Sequence, residues 1–191
     1  MDAIISRGIN QIYIVGGDGT HRGANIIADE CKRRKLKVSV AGVPKTIDND
    51  IAIIDRSFGF RTAIEEACKT VQSALVEARS AENGIAVVKL MGRDSGFIAT
   101  HTVLAGTDAN LCLIPEVPFQ FDGPDGILKH LRRTVAKNGH AVVVVAEGAG
   151  QDMLEGEKET DASGNVKKKV PLFYHLAHMM GYTCSIATHV A

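Results

Sequence analysis

Two short stretches of the chain concentrate residue types that handle phosphate. The first is "GGDGT", residues 16–20. Glycines after a strand let backbone N–H groups turn toward an anion, and a helix that follows adds the positive end of its dipole. Asp18 stands between glycines with little side-chain competition. There it either holds Mg2+ on phosphate oxygens or caps the following helix. The second stretch is "VPKTIDND", residues 43–50, which crowds Lys45, Thr46, Asp48 and Asp50 into a few positions after the apolar run "VSVAGV". Moving a phosphoryl group to a hydroxyl needs in-line positioning, neutralised charge and a base for the hydroxyl proton. Asp48 suits the base, Thr46 can hydrogen-bond acceptor or phosphate, and Lys45 can neutralise developing charge. An Asx-turn on Asp48 and Asn49 is the competing reading.

Two further groups follow. In "MGRDSG", residues 91–96, Arg93 brings a planar fork suited to phosphate oxygens, although such an arginine taken alone is more often a surface ion-pair residue. Met91 and Gly92 read as an apolar wall with close backbone approach. Glu147, just after "VVVVA", is either an acceptor for sugar hydroxyls or the partner of a nearby cation.

Groups so dispersed need a scaffold that gathers them. "QIYIV" (11–15) is a short apolar run stopped by glycines, the pattern of a buried strand, and "KVSVAGV" (37–43), "GIAVVKLM" (84–91), "NLCLIP" (110–115) and "HAVVVVAEG" (140–148) repeat it. Helical spacing of apolar residues predicts helices over 22–34, 61–79, 95–105 and 124–138, with Gly139 in the stop position of the last. Strands apolar on both faces and alternating with helices predict a parallel sheet covered on both sides, an α/β layered fold. In such sheets ligands collect outside the carboxyl ends of the strands. Right-handed crossovers would bring "GGDGT", "PKTIDND", "MGRDSG", "PEVPF" and "EGAG" to one edge.

The bulk composition narrows the partners. The 191 residues are 45% hydrophobic and 23% charged, ordinary globular values. Lys+Arg and Asp+Glu each number 22, so no global field draws nucleic acid or an anionic membrane. No apolar run is long enough to span a bilayer, and the N-terminus lacks the pattern of a signal peptide. Four scattered cysteines without a C-x-x-C pair give neither a zinc site nor a disulfide framework, which reads as a cytoplasmic protein. Beyond about residue 150 the chain turns polar, and the lysines at 167–169 read as a solvated run.

In order and spacing, "GGDGT", "PKTIDND", "FGFRTAIEEA", "VKLMGRDSGFIA", "LIPEVPF" and "VAEGAGQD" closely resemble ATP-dependent 6-phosphofructokinases, most of all the group of plants and trypanosomatid protists. The likeness runs from about residue 8 to about 165. It implies a phosphofructokinase fold, a parallel-sheet, three-layer, Rossmann-like α/β architecture, present only in part. Residues 1–60 would be the C-terminal part of an ATP-binding domain, 61–160 part of a fructose-6-phosphate-binding domain, and 161–191 a divergent tail. The resemblance implies that Gly17, Asp18, Gly19 and Thr20 bind the ATP phosphates, with Asp18 at Mg2+. Thr46, Ile47 and Asp48 would contact fructose 6-phosphate, Asp48 taking the proton from its 1-hydroxyl. Met91, Gly92, Arg93 and Glu147 would complete the sugar-phosphate pocket. A dimer or tetramer of identical subunits is the implied assembly.

Pyrophosphate-dependent relatives carry Asp at the position of Gly19, so Gly19 favours ATP; Lys45, common in the pyrophosphate enzymes, points the other way. Bacterial-type members carry an arginine at the position of Gly84. The family's N-terminal Gly-rich loop is not matched, and no substrate role is carried to His175 or His178. A non-catalytic product that associates with intact subunits is therefore the second reading. NAD kinases and lipid kinases share "GGDGT" but lack "PKTIDND" and "MGRDSG". The terminal "HVA" is not a peroxisomal tripeptide.

Overall fold

A computed structural model of the chain describes residues 1–153 and the strand at 184–188. The lysine run at 167–169, and His175 and His178, lie outside the described residues. The backbone divides into two compact units, Met1–Gly59 and Phe60–Ala191.

The first unit holds α1 (Asp2–Ser6), β1 (Gln11–Gly16), α2 (Asp18–Arg33), β2 (Ser39–Thr46) and β3 (Phe58–Gly59). Its strands form a parallel sheet in the order β1-β2-β3, with Gln11 opposite Ser39 and Gly16 opposite Pro44. Helix α2 packs on β1 and β2 and buries Ala24 and Cys31. It begins at Asp18, a turn earlier than the sequence predicts. The glycine-rich stretch reads as loop, yet Gly17 takes an extended N-cap conformation and Asp18 sits in the first turn, where a negative charge complements the helix dipole.

One sequence expectation fails in this unit. The strands are apolar on both faces, but only one face is covered among the described residues. Tyr13, Val15 and Phe58 remain 64%, 59% and 66% exposed on the face away from α2. The reason is that α2 is the unit's one long helix, and the five-residue α1 buries none of its own side chains.

The second unit holds α3 (Phe60–Ser80), β4 (Gly84–Leu90), α4 (Phe97–Gly106), β5 (Leu111–Leu113), α5 (Ile127–Asn138), β6 (His140–Ala146) and β7 (Cys184–Thr188). They include a four-stranded parallel sheet in the order β5-β6-β4-β7. The central strands β4 and β6 carry the most continuous apolar runs, and Val87, Val88 and Val142 to Val144 are fully buried. Helix α3 lays Ala63, Ala67, Val71, Ala74 and Ala78 on one side at three- and four-residue spacing. Leu131 and Val135 of α5 enter the core with Ile85, Val87, Val143 and Val145. Helix α5 ends as predicted at Gly139, whose φ of 76° needs a glycine or a close substitute. It starts at Ile127, not Pro124, because residues 120–126 fold back beneath it. Gln120 and Phe121 give their carbonyls to the N–H groups of Ile127 and Leu128.

The strand-end loops thus fall on two sheets, not on the single sheet expected. After β2 the chain makes the two-residue β3 and enters α3, and β4 pairs with β6 and β7 instead of with β2.

Candidate active site

In the first unit the turn after β1 and the loop after β2 meet. β1 and β2 are parallel neighbours ending together, Gly16 opposite Pro44. A Cβ placed on Gly17 would stand 3.6 Å from the Cβ of Thr46, so the two segments approach to within about one methyl group of each other. Thr20 folds its side chain over Gly16, where a Cβ would come within 2.6 Å of the Thr20 Cβ; a glycine is required there. Gly19 differs. An added Cβ meets nothing within 4 Å, so packing does not explain its missing side chain. Asp18 pairs with Arg22 one turn along α2, at 2.9 Å.

Asp48 is 7% exposed. The Thr46 hydroxyl donates to Asp48 Oδ2 at 3.3 Å, and the Asp48 N–H donates back to Thr46 Oγ1 at 3.3 Å, both at the long end of hydrogen bonding. Ile47 lies between them, half-buried. Asn49, one of the two residues of the Asx reading, bonds farther along the chain than an Asx-turn would: at φ 57° it accepts from the Ser57 N–H at 2.8 Å and donates to the Asp55 carbonyl at 3.3 Å. The buried Ser57 hydroxyl reaches back to the Thr46 carbonyl at 2.7 Å. Strand alternation puts Lys45 on the face of β2 opposite to Thr46, exposed and in register with Phe58.

In the second unit, "MGRDSG" turns sharply between β4 and α4. Gly92 has φ 145° and Arg93 φ 50°, both in the left-handed half of backbone space. The Ser95 N–H and hydroxyl both donate to the Gly92 carbonyl at 2.9 Å. Glu147, at the end of β6, accepts from the Arg93 N–H at 3.3 Å and lies 3.9 Å from Lys89 Nζ. Met91 is exposed and Gly92 buried beside it. Gly148 packs directly against the Arg93 carbonyl oxygen.

Three residues given no site role by the sequence hold these loops. Glu116, from "PEVPF", accepts from the Gly96 N–H at 2.8 Å and so caps α4, whose first turn has no acidic residue of its own. Asn49 closes the loop after Asp48. His21 contacts the turn after β1 through the Gly16 carbonyl at 3.1 Å. A polar side chain just after a glycine-rich turn was the available signal for His21; for Glu116, twenty residues from its partner, there was none. Gly84, the position of the bacterial arginine, has no room for a side chain: it lies against the carbonyls of Ala78 and Ala81.

The chain is thus a parallel-sheet α/β protein with glycine-rich turns and acidic side chains at the carboxyl ends of its strands, the edge where such folds collect ligands. The phosphofructokinase family profile matches residues 1–185, and the chain belongs to that family. The match runs past residue 165, where the motif likeness stops. Over 165 residues the chain is 57% identical to ATP-dependent 6-phosphofructokinase 5, chloroplastic, of Arabidopsis thaliana, covering 86% of this chain and 31% of that protein. It is 50% identical over 173 residues to ATP-dependent 6-phosphofructokinase of Borreliella burgdorferi, and 48% over 167 residues to that of Trypanosoma brucei brucei; these cover 87% of this chain and 39% and 34% of the relatives. The chain therefore spans about a third of the length of the curated relatives it matches. Among solved structures, the pyrophosphate-dependent phosphofructokinase of Marinobacter aquaeolei superposes with TM-score 0.71 at 25% identity, over 98% of this chain and 46% of that one. Pichia pastoris phosphofructokinase in the T-state gives 0.74 at 23% identity over 97% and 20%, a likeness of fold.

Proposed function

We propose that the chain carries donor and acceptor segments of an ATP-dependent 6-phosphofructokinase, transferring the γ-phosphoryl of ATP to the 1-hydroxyl of fructose 6-phosphate. The observation that carries this reading is the close approach of Gly17 to Thr46, with Asp18 and Asp48 just beyond two adjacent strand ends. The turn of Gly17, Gly19 and Thr20 receives the nucleotide phosphates at the N-terminus of α2. Asp48 takes the proton of the acceptor hydroxyl, steered by Thr46, while Ile47 lines the acceptor. Met91, Gly92, Arg93 and Glu147 serve the sugar phosphate, and Lys45 assists by charge. Residues 1–60 then contribute to the nucleotide side and 61–160 to the sugar side, with 161–191 a divergent tail.

Mg2+ takes one or two carboxylates besides substrate phosphates, keeping several waters. Asp18, part-exposed in the first turn of α2, fits that requirement once Arg22 releases it. Bound there, the metal supplies charge neutralisation at the phosphates.

The names of the curated relatives favour ATP over pyrophosphate as donor, and the open space at Gly19 agrees. A cytoplasmic dimer or tetramer is part of the same proposal. Among the described residues no helix is long and apolar enough to cross a membrane.

The test is fructose 1,6-bisphosphate formation by the 191-residue chain with Mg·ATP and with pyrophosphate in parallel, beside Asp48→Ala. ATP-dependent turnover lost in the variant supports donor, acceptor and base together. A folded chain without turnover, yet co-purifying with a full-length phosphofructokinase, would favour the non-catalytic reading.

A further inference from the structure

The turn after β1 has to present its backbone N–H groups in one direction to receive a phosphate, and two glycines in sequence do not hold a direction by themselves. Something must fix the Gly16–Gly17 peptide. The ladder to β2 holds Gly16 opposite Pro44, and Thr20 covers it from the side of α2.

His21 adds a constraint from α2 at the carbonyl where the ladder ends. Its Nε2 lies 3.1 Å from the Gly16 carbonyl oxygen. A carbonyl only accepts, so Nε2 carries the proton in this contact. The ring rests on β2 at Gly42, where an added Cβ would come within 2.6 Å of His21 Cε1. A glycine inside a strand weakens it and often marks close approach by another group. Here that group is the imidazole, so His21 and Gly42 are a matched pair: the missing side chain in β2 makes the seat from which the ring reaches Gly16.

The Gly16–Gly17 peptide is trans, as are all peptides described. In a trans peptide the C=O and the following N–H point in opposite directions. Holding the Gly16 oxygen toward the imidazole therefore aims the Gly17 N–H away from it. We propose that His21, seated on Gly42, is the positioning residue of the phosphate-receiving turn, setting the orientation of the Gly17 N–H without touching the ligand. This rests on the donor reading of "GGDGT" given above, and it adds to it a residue from α2 and one from β2.

The experiment has a ligand-free and a liganded arm, both on the full chain. In the ligand-free arm, imidazole 15N NMR of His21 is expected to show the Nε2–H tautomer, and Gly42→Ala, which unseats the ring, is expected to shift the Gly17 amide resonance. A neutral ring protonated at Nδ1, or a Gly17 resonance indifferent to Gly42→Ala, overturns the clamp. In the liganded arm, His21→Ala is expected to raise the dissociation constant for Mg·ATP about tenfold while that for fructose 6-phosphate stays within about twofold. His21→Gln, whose amide nitrogen can still donate to Gly16, should recover most of the loss. Equal weakening toward both ligands, or none, overturns the positioning role. A wild-type chain that does not bind Mg·ATP counts against the donor reading instead, and the ligand-free arm then decides the clamp by itself.

Discussion

The Ser57 N–H donates to Oδ1 of Asn49 at 2.8 Å, closing a loop across eight residues that leaves the sheet at Thr46 and returns to it at Phe58. Asn49 does this from φ 57°, a conformation that asparagine tolerates better than most residues. The same loop begins with the buried Asp48. Asn49→Ala should therefore cost about 1–3 kcal/mol, combining a strained backbone with an unpaired amide. Urea unfolding gives the cost, and faster hydrogen exchange at the Ser57 amide gives its location. Asn49→Gly keeps the backbone and loses only the side-chain bonds, so it should fall between wild type and alanine.

Gly148 tests the other sheet. A Cβ there would run into the Arg93 carbonyl oxygen and stand 3.2 Å from the Asp94 Cα. Gly148→Ala is expected to destabilise by roughly 1–3 kcal/mol and to displace the Arg93 turn. An unchanged denaturation midpoint would show that the turn yields at no cost.

Gly19 should behave in the opposite way. Its surroundings are open and it lies near the N-terminus of α2, where a carboxylate is favourable. Gly19→Asp is expected to leave thermal stability equal to or slightly above wild type while lowering Mg·ATP affinity by an order of magnitude or more, because the new carboxylate opposes the phosphates. Calorimetry and an ATP titration on the same sample separate the two effects. A variant that binds ATP as wild type does would remove Gly19 from the donor side.

A pH effect is expected on α2. Glu30 accepts from the guanidinium of Arg33, and then of Arg34, at 2.6–2.7 Å, which holds its carboxyl down from 4.5 to about 2. A carboxyl depressed in the folded state stabilises above its unfolded value and loses that contribution as the pH falls through the folded one. The melting-temperature gap between wild type and Glu30→Gln should thus be present at neutral pH, shrink below 4.5 and vanish near 2. The gap is small, since solvent and salt screen such pairs. A gap that does not change with pH would assign it to packing.

Much of this architecture is legible in residue pattern. Central strands such as "AVVVVA" are buried on both faces and read as such, and α3 declares itself through seven buried positions at helical spacing. The polar residues after the apolar runs do fall at the carboxyl ends of parallel strands. What escaped had physical reasons. β3 is two residues long and carries no periodicity, and α2 enters through glycines that read as loop. The open face of the first sheet could not be seen because Tyr13 and Val15 are as apolar as the half-buried Ile12 and Ile14 beside them. The supporting residues His21, Asn49 and Glu116 act through backbone carbonyls and amides, and those contacts depend on tertiary geometry that no spacing rule encodes.

Strand β7 joins the sheet beside β4, with Ile85 opposite Cys184, on the order of a hundred residues apart in sequence. The β4–β6 pairing needs a shorter closure, and α3 packs on β4 as its near neighbour in the chain. During synthesis on the ribosome, three strands of this sheet and α3 can therefore assemble while the outer edge of β4 still waits for its partner. Until β7 arrives, that edge offers a row of unpaired backbone groups on an apolar strand, an inviting template for a foreign strand. The chain's vulnerable interval is thus set by elongation rate, and slow codons or a stalled ribosome between β6 and β7 would lengthen its exposure to aggregation.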